Sequence, residues 1–451
     1  MTSATAHDPE VSRRRAGSGA RFLSLTPRDP VIVRDGRPFG AEAGSKARSL
    51  DWLTPSLLAG SVRSAVGKAA GGKWVQLHRP LLRAGVAGGF PIFRDALYLP
   101  APRDVVIEPA RDAASARRVH TLRPAPLDST RAGALFPTGL SELASLPPAA
   151  AEPFEPEPAP AWWNADLMAR ALVDATGSMF AAEERLTTGV LDTPRRDERV
   201  HLEVSDATST AEEGMLFTTS GLEIEQWQLG KHAPRLTVRW RPAPDDTLAL
   251  DGLDPVLAIG GERRLMRLVA EAPADDARDG SAVRNRSQES GATLWRCPGA
   301  VAKALVGAAR VKLVLATMGL FSEGWRPGWL QEIDGGGASG PCWQGSPRGR
   351  DGASLPVTLR LVSACVPRWV PISGWSLRDD AGAWSPGPRK ARRAVPAGAV
   401  YFFDVVAGDP ATLAADNGRG GWLESVADHE RDRLDGFGLA LWGVWDRHPP
   451  E

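Results

Sequence analysis

Val33-Arg34-Asp35-Gly36-Arg37-Pro38-Phe39, followed by Thr54-Pro55-Ser56-Leu57-Leu58-Ala59-Gly60-Ser61-Val62-Arg63, decides how this chain is read. Residues 22–33 form a hydrophobic run with strand composition, and it enters a charged turn bearing glycine and proline. A helix is expected next. Thr54 is a natural N-cap, Pro55 suits the first helical position, and Leu58, Val62, Ala65 and Ala69 recur at spacings of 4, 3 and 4. Strand, basic loop and helix together suit a grip on a phosphate chain. In that reading Arg34, Arg37, Lys46 and Arg48 contact RNA phosphates, while Gly36 and Gly40 let the backbone approach. Ser61 and Arg63, early on the helix, share an anion with its N–H groups. The plain alternative is a solvated loop in which Asp35 pairs with Arg34 or Arg37.

At 451 residues the chain is long for one core, and two or three domains are expected. Hydrophobic content of 43% beside 24% charge implies a globular protein with a sizeable core. No apolar run approaches the roughly 20 residues that a membrane span needs. Residues 1–20 carry Arg13-Arg14-Arg15 without a following hydrophobic segment, so they read as a disordered extension, not a signal peptide. Cys297, Cys342 and Cys365 are odd in number and widely spaced, against both a disulfide framework and a zinc site. A bacterial cytoplasm is the expected compartment. Basic and acidic residues balance at 54 each, which argues against a free-standing nucleic-acid binder. It leaves room for a subunit that meets RNA along one narrow track. Seven of the 54 basic residues are lysine and the rest arginine, a bias that high-GC codon usage also produces.

Short strands are expected near residues 75–82, 96–107, 200–204, 214–219, 236–240, 311–315, 359–366 and 399–406. Helices are expected after Asn164, over residues 301–306 and within 413–434, and the chain closes on an apolar run at 439–445. Residues 141–160 hold six prolines, four glutamates and no lysine or arginine, and read as an exposed insertion. Polar or glycine-rich loops are expected at 275–291 and 334–340. Scattered short strands with few helices fit an α+β arrangement, and no internal repeat is evident.

Three further basic groups stand out. Arg195 and Arg199 flank the approach to a strand that opens a hairpin, where a charge cluster is commonly only solubilising. Arg263 and Arg264 follow Glu262, which would pair with one and leave the other for RNA or a neighbour. Arg389-Lys390-Ala391-Arg392-Arg393 is the densest run, and RNA contact and simple solvation are both open for Lys390 and Arg392. Gly436, Gly438 and Gly443 form G-x-G-x-x-x-x-G. A dinucleotide fold needs a helix and a strand beyond its glycines, and too little chain follows for that.

Chemistry finds little footing. None of the seven histidines forms H-x-x-x-H or H-E-x-x-H, and no cysteine lies near one at ligand spacing. Gly67-Lys68 runs into Ala69 and lacks the upstream glycine of a P-loop. No cofactor, metal site or catalytic residue is expected. A metal-independent ribonuclease needs only a base, an acid and a cation, and His78 or His201 are its candidates.

The ordered set of blocks resembles one family, the third subunit of the Cmr complex. That complex is the type III-B CRISPR effector, and the subunit belongs to the RAMP superfamily of RNA-binding proteins. The likeness runs through Val33 to Phe39, Gly60-Ser61-Val62-Arg63, Gly260-Gly261-Glu262-Arg263-Arg264 and Gly324-Trp325-Arg326-Pro327. It continues in Pro371-Ile372-Ser373-Gly374-Trp375, in residues 395–402 and in the terminal glycines. Val33 stands where the family has Phe. The resemblance implies two ferredoxin-like (RRM-like) RAMP domains with loop insertions, over 21–255 and 256–451. It implies a terminal glycine loop, including Gly436 and Gly438, that sits against the first helix and helps cradle RNA. It implies a thumb-like hairpin near Arg195–Arg199 that separates the guide's tag from its spacer. The implied partners are the 5′ tag of a guide RNA, the large polymerase-like subunit and a backbone RAMP subunit. Trp52 and Trp325 are then possible base-stacking platforms. An endoribonuclease that processes CRISPR precursor RNA, and a purely structural assembly subunit, remain as alternatives.

Overall fold

The computed structural model describes residues 20–36, 45–71, 74–110, 117–126, 140–147, 153–177, 179, 188–225, 227, 234–243, 248, 250, 252–271, 291–334, 342–378, 384–415 and 420–447. β1 (Arg21–Pro27) buries Leu23 and Leu25 completely while Phe22 and Ser24 are only partly covered, the alternation of a strand. β2 (Ser45–Ala47) is a short edge piece. α1 (Pro55–Ala69) starts as expected: the Leu57 N–H donates to Thr54 Oγ1 at 3.2 Å, and Pro55 fills the first turn. Its apolar stripe, Leu58, Ala59, Val62, Ala65 and Val66, is buried.

α2 (Trp74–Arg83) corrects the strand expected over 75–82. Trp74, Leu77 and Leu81 recur at helical spacing, and the short run around Pro80 concealed that period. β3 (Gly85–Phe93), β4 (Ala96–Pro100), β5 (Trp162–Asn164), α3 (Ala165–Val173) and β6 (Val190–Leu191) follow. Asn164 caps α3, its Oδ1 accepting from the Leu167 N–H at 2.8 Å. β7 (Arg196–Val204) and β8 (Ala211–Leu222) form an antiparallel hairpin, to which β2 adds in parallel beside β8. β9 (Arg235–Arg241), β10 (Val256–Ile259) and β11 (Arg264–Ala270) complete an eight-stranded sheet in the order β6-β5-β4-β3-β9-β1-β11-β10.

The second half holds α4 (Gly299–Leu305), β12 (Arg310–Leu315), β13 (Gln331–Ile333), β14 (Cys342–Gly345) and β15 (Val357–Cys365). β16 (Val400–Gly408), α5 (Glu430–Leu434) and β17 (Ala440–Val444) close it. Its six-stranded sheet runs β13-β14-β15-β16-β12-β17.

The two sheets share one wiring. In the first, β9 lies between β1 and β3, antiparallel to both, with β11 on the far side of β1. In the second, β16 lies likewise between β12 and β15, with β17 on the far side of β12. The helices differ: α1 and α2 join β1 to β3, whereas among the described residues no helix joins β12 to β15. The class is α+β, mostly antiparallel, as expected. β10 and β11 pair into the first sheet, so the change of sheet falls after residue 271 and not near 255.

One continuous core joins both sheets. Buried ions tie it: Asp104 lies 3.2 Å from Arg123 and 3.4 Å from Lys312 of β12. The proline-rich segment is not wholly an exposed insertion. Residues 142–145 pair with 123–126, and the buried Glu142 accepts from Arg447. Residues 148–152 lie outside the described residues, as do 1–19, 272–290 and 335–341.

Candidate nucleic-acid interface

Helix α1 carries Arg63 on its buried side, 3% exposed. Nη1 pairs with Asp435, Nη2 donates to Ala84 O at 2.8 Å and Leu434 O at 3.0 Å, and Nε donates to Ala84 O at 3.2 Å. Burial lowers the Arg63 pKa, and Asp435 opposes that fall. Every arm of this guanidinium is committed within the fold. The phosphate contact expected of Arg63 has no free donor to make it, and the side chain instead fixes the loop that follows α5. Ser61 lies partly exposed in the second turn of the helix, beyond the N–H groups left free at its start.

That loop is the terminal glycine segment. Gly436 has φ +85°, and a Cβ there would lie 2.6 Å from Val86 O, so only glycine lets the loop press onto β3. Gly438 has φ +64°, and its N–H donates to Met318 O at 2.8 Å. Thr317 Oγ1 donates to Gly436 O at 2.7 Å and accepts from the Leu439 N–H at 2.9 Å. Phe437 enters a small second core with Leu320, Ile372, Ala394 and Ala427, against which Leu50, Met318 and Val370 pack. Both glycines are buried, so the loop anchors neighbouring elements from beneath.

Those neighbours are the other basic blocks. Residues 370–372 and 392–394 form a two-stranded ribbon over the small core. The Gly36 N–H donates to Pro371 O at 3.0 Å, and a Cβ on Gly36 would meet the Ile372 carbonyl carbon at 2.9 Å. The Asp35 N–H donates to Arg48 O at 3.1 Å, closing the base of the loop and leaving the Arg34 and Arg48 side chains exposed. Arg37 and the Lys46 side chain lie outside the described residues; the Lys46 backbone pairs opposite Thr218.

Asp432 and Asp435, 4% and 3% exposed, form the acidic centre of this region. Arg392 grips Asp432 through both terminal nitrogens at 2.7 and 2.6 Å, and its side chain is 45% exposed. The Asp432 hydrogen bond, outweighing desolvation, raises the Arg392 pKa. Arg431 Nε lies 3.4 Å from Asp435. Burial lowers the Arg389 pKa, and Arg431 and Arg392 push it further down while Asp435 and Asp432 oppose them. Four guanidiniums thus surround two carboxylates, and Lys390 stands exposed beside them. The excess positive charge makes an anion welcome here. Arg389 lies in the densest basic run but was not among the residues selected from it, and Arg431 went unselected, the alternating Glu430-Arg431-Asp432-Arg433 being its only signal.

Aromatic residues border this ground, but not the expected ones. Trp52 packs on Trp162 and Trp227 with Nε1 donating to Gly89 O at 3.0 Å, and Trp325 stacks parallel to Tyr401. Both are core anchors. Trp369 and Trp375 are 44% and 65% exposed, next to and just beyond the ribbon, with Arg393 4.9 Å over the Trp369 ring.

The hairpin flanks the other side. Arg196 reaches Ser49 O at 3.0 Å, Ser220 Oγ at 3.3 Å and the Asp51 carboxylate, tying β7 to the end of the basic loop. Arg195 is exposed, and Arg199 pairs with Asp197 at 2.6 Å. Val200, Leu202, Val204 and the facing Leu216 are about half exposed or more. The turn between β10 and β11 meets this edge: the Gly261 N–H donates to Ile32 O at 2.9 Å, Arg263 is exposed, and Arg264 pairs with Glu262 as expected. His201 stacks on Phe217 and shares a 2.9 Å hydrogen bond with Thr219. The His78 side chain is outside the described residues. Among the described residues, no cluster of three or more His, Cys, Asp or Glu could hold a metal, and no helix is long and apolar enough to cross a membrane.

Comparison with solved structures finds distant likenesses. A chain of the type III-B Cmr-beta bound to cognate target RNA and AMPPnP is 12% identical, with TM-score 0.35, covering 84% of this chain and 86% of that one. A chain of the Csm3–Csm4 subcomplex of the type III-A CRISPR-Cas interference complex is 9% identical, with TM-score 0.30, covering 86% and 94%. No curated protein matches the sequence. The model of the family "CRISPR-associated protein (Cas_Cmr3)" matches residues 23–445. The family expected from the ordered sequence blocks is thus the one found over nearly the whole length, and the chain belongs to the Cas_Cmr3 family of CRISPR-associated proteins.

Proposed function

We propose that this chain is a non-catalytic RNA-binding scaffold subunit of a type III-B CRISPR effector complex, holding the 5′ repeat-derived tag of the guide RNA. The observation that carries this is that the loop bearing Arg34 and Arg48 bonds through Gly36 to the ribbon that bears Arg392, beside Lys390, while Arg392 and Arg63 tie that ribbon and the first helix to Asp432 and Asp435 beside the glycine loop, a meeting that no local sequence pattern requires. Phosphates would run along the exposed cations, and bases would stack on Trp369 and Trp375. Arg195, Arg199 and Arg263 extend the same track along the hairpin side, and Arg37 and Lys46 are proposed contacts from the sequence alone.

The chain also bridges the large polymerase-like subunit to a backbone RAMP subunit in this reading. The apolar stripe of Val200, Leu202, Val204 and Leu216 on the hairpin supports a partner there, since such surface is seldom left to water. Its place of action is the cytoplasm. The shared wiring of the two sheets supports two ferredoxin-like halves, divided after residue 271, with helices lost or replaced by insertions.

The test is to tag the protein in its own cell, purify the complex gently and sequence the 5′ ends of its RNA. Wild type should carry one short shared 5′ tag. An Arg34→Glu, Arg48→Glu, Lys390→Glu variant should assemble with its partners and lose most of that RNA. Unchanged guide occupancy would sink the reading and favour a purely structural subunit.

A further inference from the structure

On the other side of α5 lies a second basic site, made by different residues. Glu430 and Arg433 face a cleft of about 420 Å³ between the two sheets, whereas Asp432 faces Arg392 and Asp435 faces Arg63. At its inner end is a cavity of about 100 Å³ that shares Arg239, Arg241, Arg350 and Glu424 with the cleft and is also walled by Trp295 and Trp422.

Among the described residues, this cavity is rich in donors and short of acceptors. Glu424 is its carboxylate, and it is already engaged. Arg241 Nη1 donates to Oε2 at 2.6 Å, Arg241 Nη2 pairs with Oε1, and Arg239 Nη1 lies 3.3 Å from Oε1. Arg239 also donates to Leu423 O at 2.7 Å and lies 4.8 Å over the Trp295 ring. Two buried donors, Trp422 Nε1 and Arg241 Nε, find no acceptor among the described residues. A buried donor left without a partner is destabilising, so an acceptor is due here. The charge balance agrees, with three guanidiniums against one carboxylate among the described residues that line the cavity. Burial lowers the Arg239 pKa to about 9; Glu424 opposes this, and Arg241 and Arg350 add to it. Burial and Arg241 lower Arg350 in the same way.

We propose that this cavity is a phosphate site in which Arg239, Arg241 and Arg350 neutralise the anion and the Trp422 indole N–H orients it. An indole N–H donates but never accepts, so it favours an oxyanion over a cation or a second donor. Arginine's planar fork matches phosphate geometry. The phosphate comes either as a free anion or nucleotide, or as a phosphodiester of bound RNA. The site is independent of the tag-binding face, since it shares none of that face's proposed contacts.

The experiment titrates inorganic phosphate into the purified full-length chain by calorimetry, at constant ionic strength and against chloride. One saturable site is expected. Arg350→Ala should weaken it at least tenfold, and Trp422→Phe, which keeps the ring and removes the donor, by about tenfold. Circular dichroism verifies that both variants stay folded. Heats equal to chloride, or phosphate affinity unchanged in both folded variants, would overturn the proposal. Repeating the titration with a mononucleotide and with single-stranded RNA separates the sources. Loss of phosphate and nucleotide binding alone in Arg350→Ala marks a free anion, and an added loss of RNA affinity marks a phosphodiester.

Discussion

Arg63 and Asp435 stand 372 positions apart and meet as an ion pair in which neither side chain is more than 4% exposed. The pair fastens the first helix to the glycine loop beneath the proposed RNA track. Removing one partner strands the other as an uncompensated buried charge, a loss of about 3–5 kcal/mol. Arg63→Ala and Asp435→Asn should each lower the urea midpoint sharply. Arg63→Met combined with Asp435→Leu should recover part of that loss. A variant of Arg63 that sheds RNA at an unchanged midpoint would instead make Arg63 a direct contact.

The exposed cations should reveal themselves through salt. Binding to single-stranded RNA weakens with log salt by roughly 0.7 for each phosphate neutralised. Arg48→Ala and Lys390→Ala should each flatten that slope by about this amount, across RNA sequences alike and without moving the unfolding midpoint. Arg264→Ala serves as the contrast, because its charge is held by Glu262, and its slope should match wild type. Equal slopes in all three variants would remove Arg48 and Lys390 from the track.

Trp375 is 65% exposed on a ribbon strand paired with residues 384–388, and exposed tryptophan beside clustered arginine suits a base. Trp375→Ala should cost about 1–3 kcal/mol of RNA affinity and almost no stability. Trp52→Ala should do the reverse, since Trp52 is packed among Trp162 and Trp227. Equilibrium binding and thermal melts on the two variants would separate these roles.

Local grammar was legible and long-range pairing was not. Thr54-Pro55 and Asn164 announced their helices because a cap is a property of a few adjacent residues. Arg63 read as a phosphate ligand because its real partner lies at the other end of the chain, next to glycines that read as an RNA cradle. The change of sheet after residue 271, rather than near the expected division at 255, was hidden for the same reason: residues 264–270 return to pair with residues 21–27, and no local composition encodes that choice. The repeated strand order was hidden because only pairing is repeated, while helices and loops differ. The exposed tryptophans were missed because 16 of them share one composition, and exposure is set by the fold alone.

Lys312 offers a pH signature for the junction of the two sheets. It is 2% exposed, its Nζ lies 3.4 Å from Asp104, and Arg123 is bonded to that same carboxylate. Burial lowers its pKa to about 8 from 10.5; Asp104 opposes the shift, and Arg123 adds to it. Below about pH 8 both folded and unfolded chains hold the proton, and the full cost of the buried ammonium is present. Between about 8 and 10.5 the folded chain has released the proton while the unfolded chain still binds it, so this group's contribution to stability rises with pH. Tyr401 and Cys365, whose pKa values burial pushes up, act in the opposite sense at high pH, so the wild-type curve alone is ambiguous. The difference between wild type and Lys312→Met isolates the lysine. Wild type should gain on the variant across that window by up to about 3 kcal/mol, at about 1.4 kcal/mol per pH unit. Urea melts of both proteins at pH 7, 8, 9 and 10 read this directly, and parallel curves would mean that Lys312 keeps its proton in the folded chain.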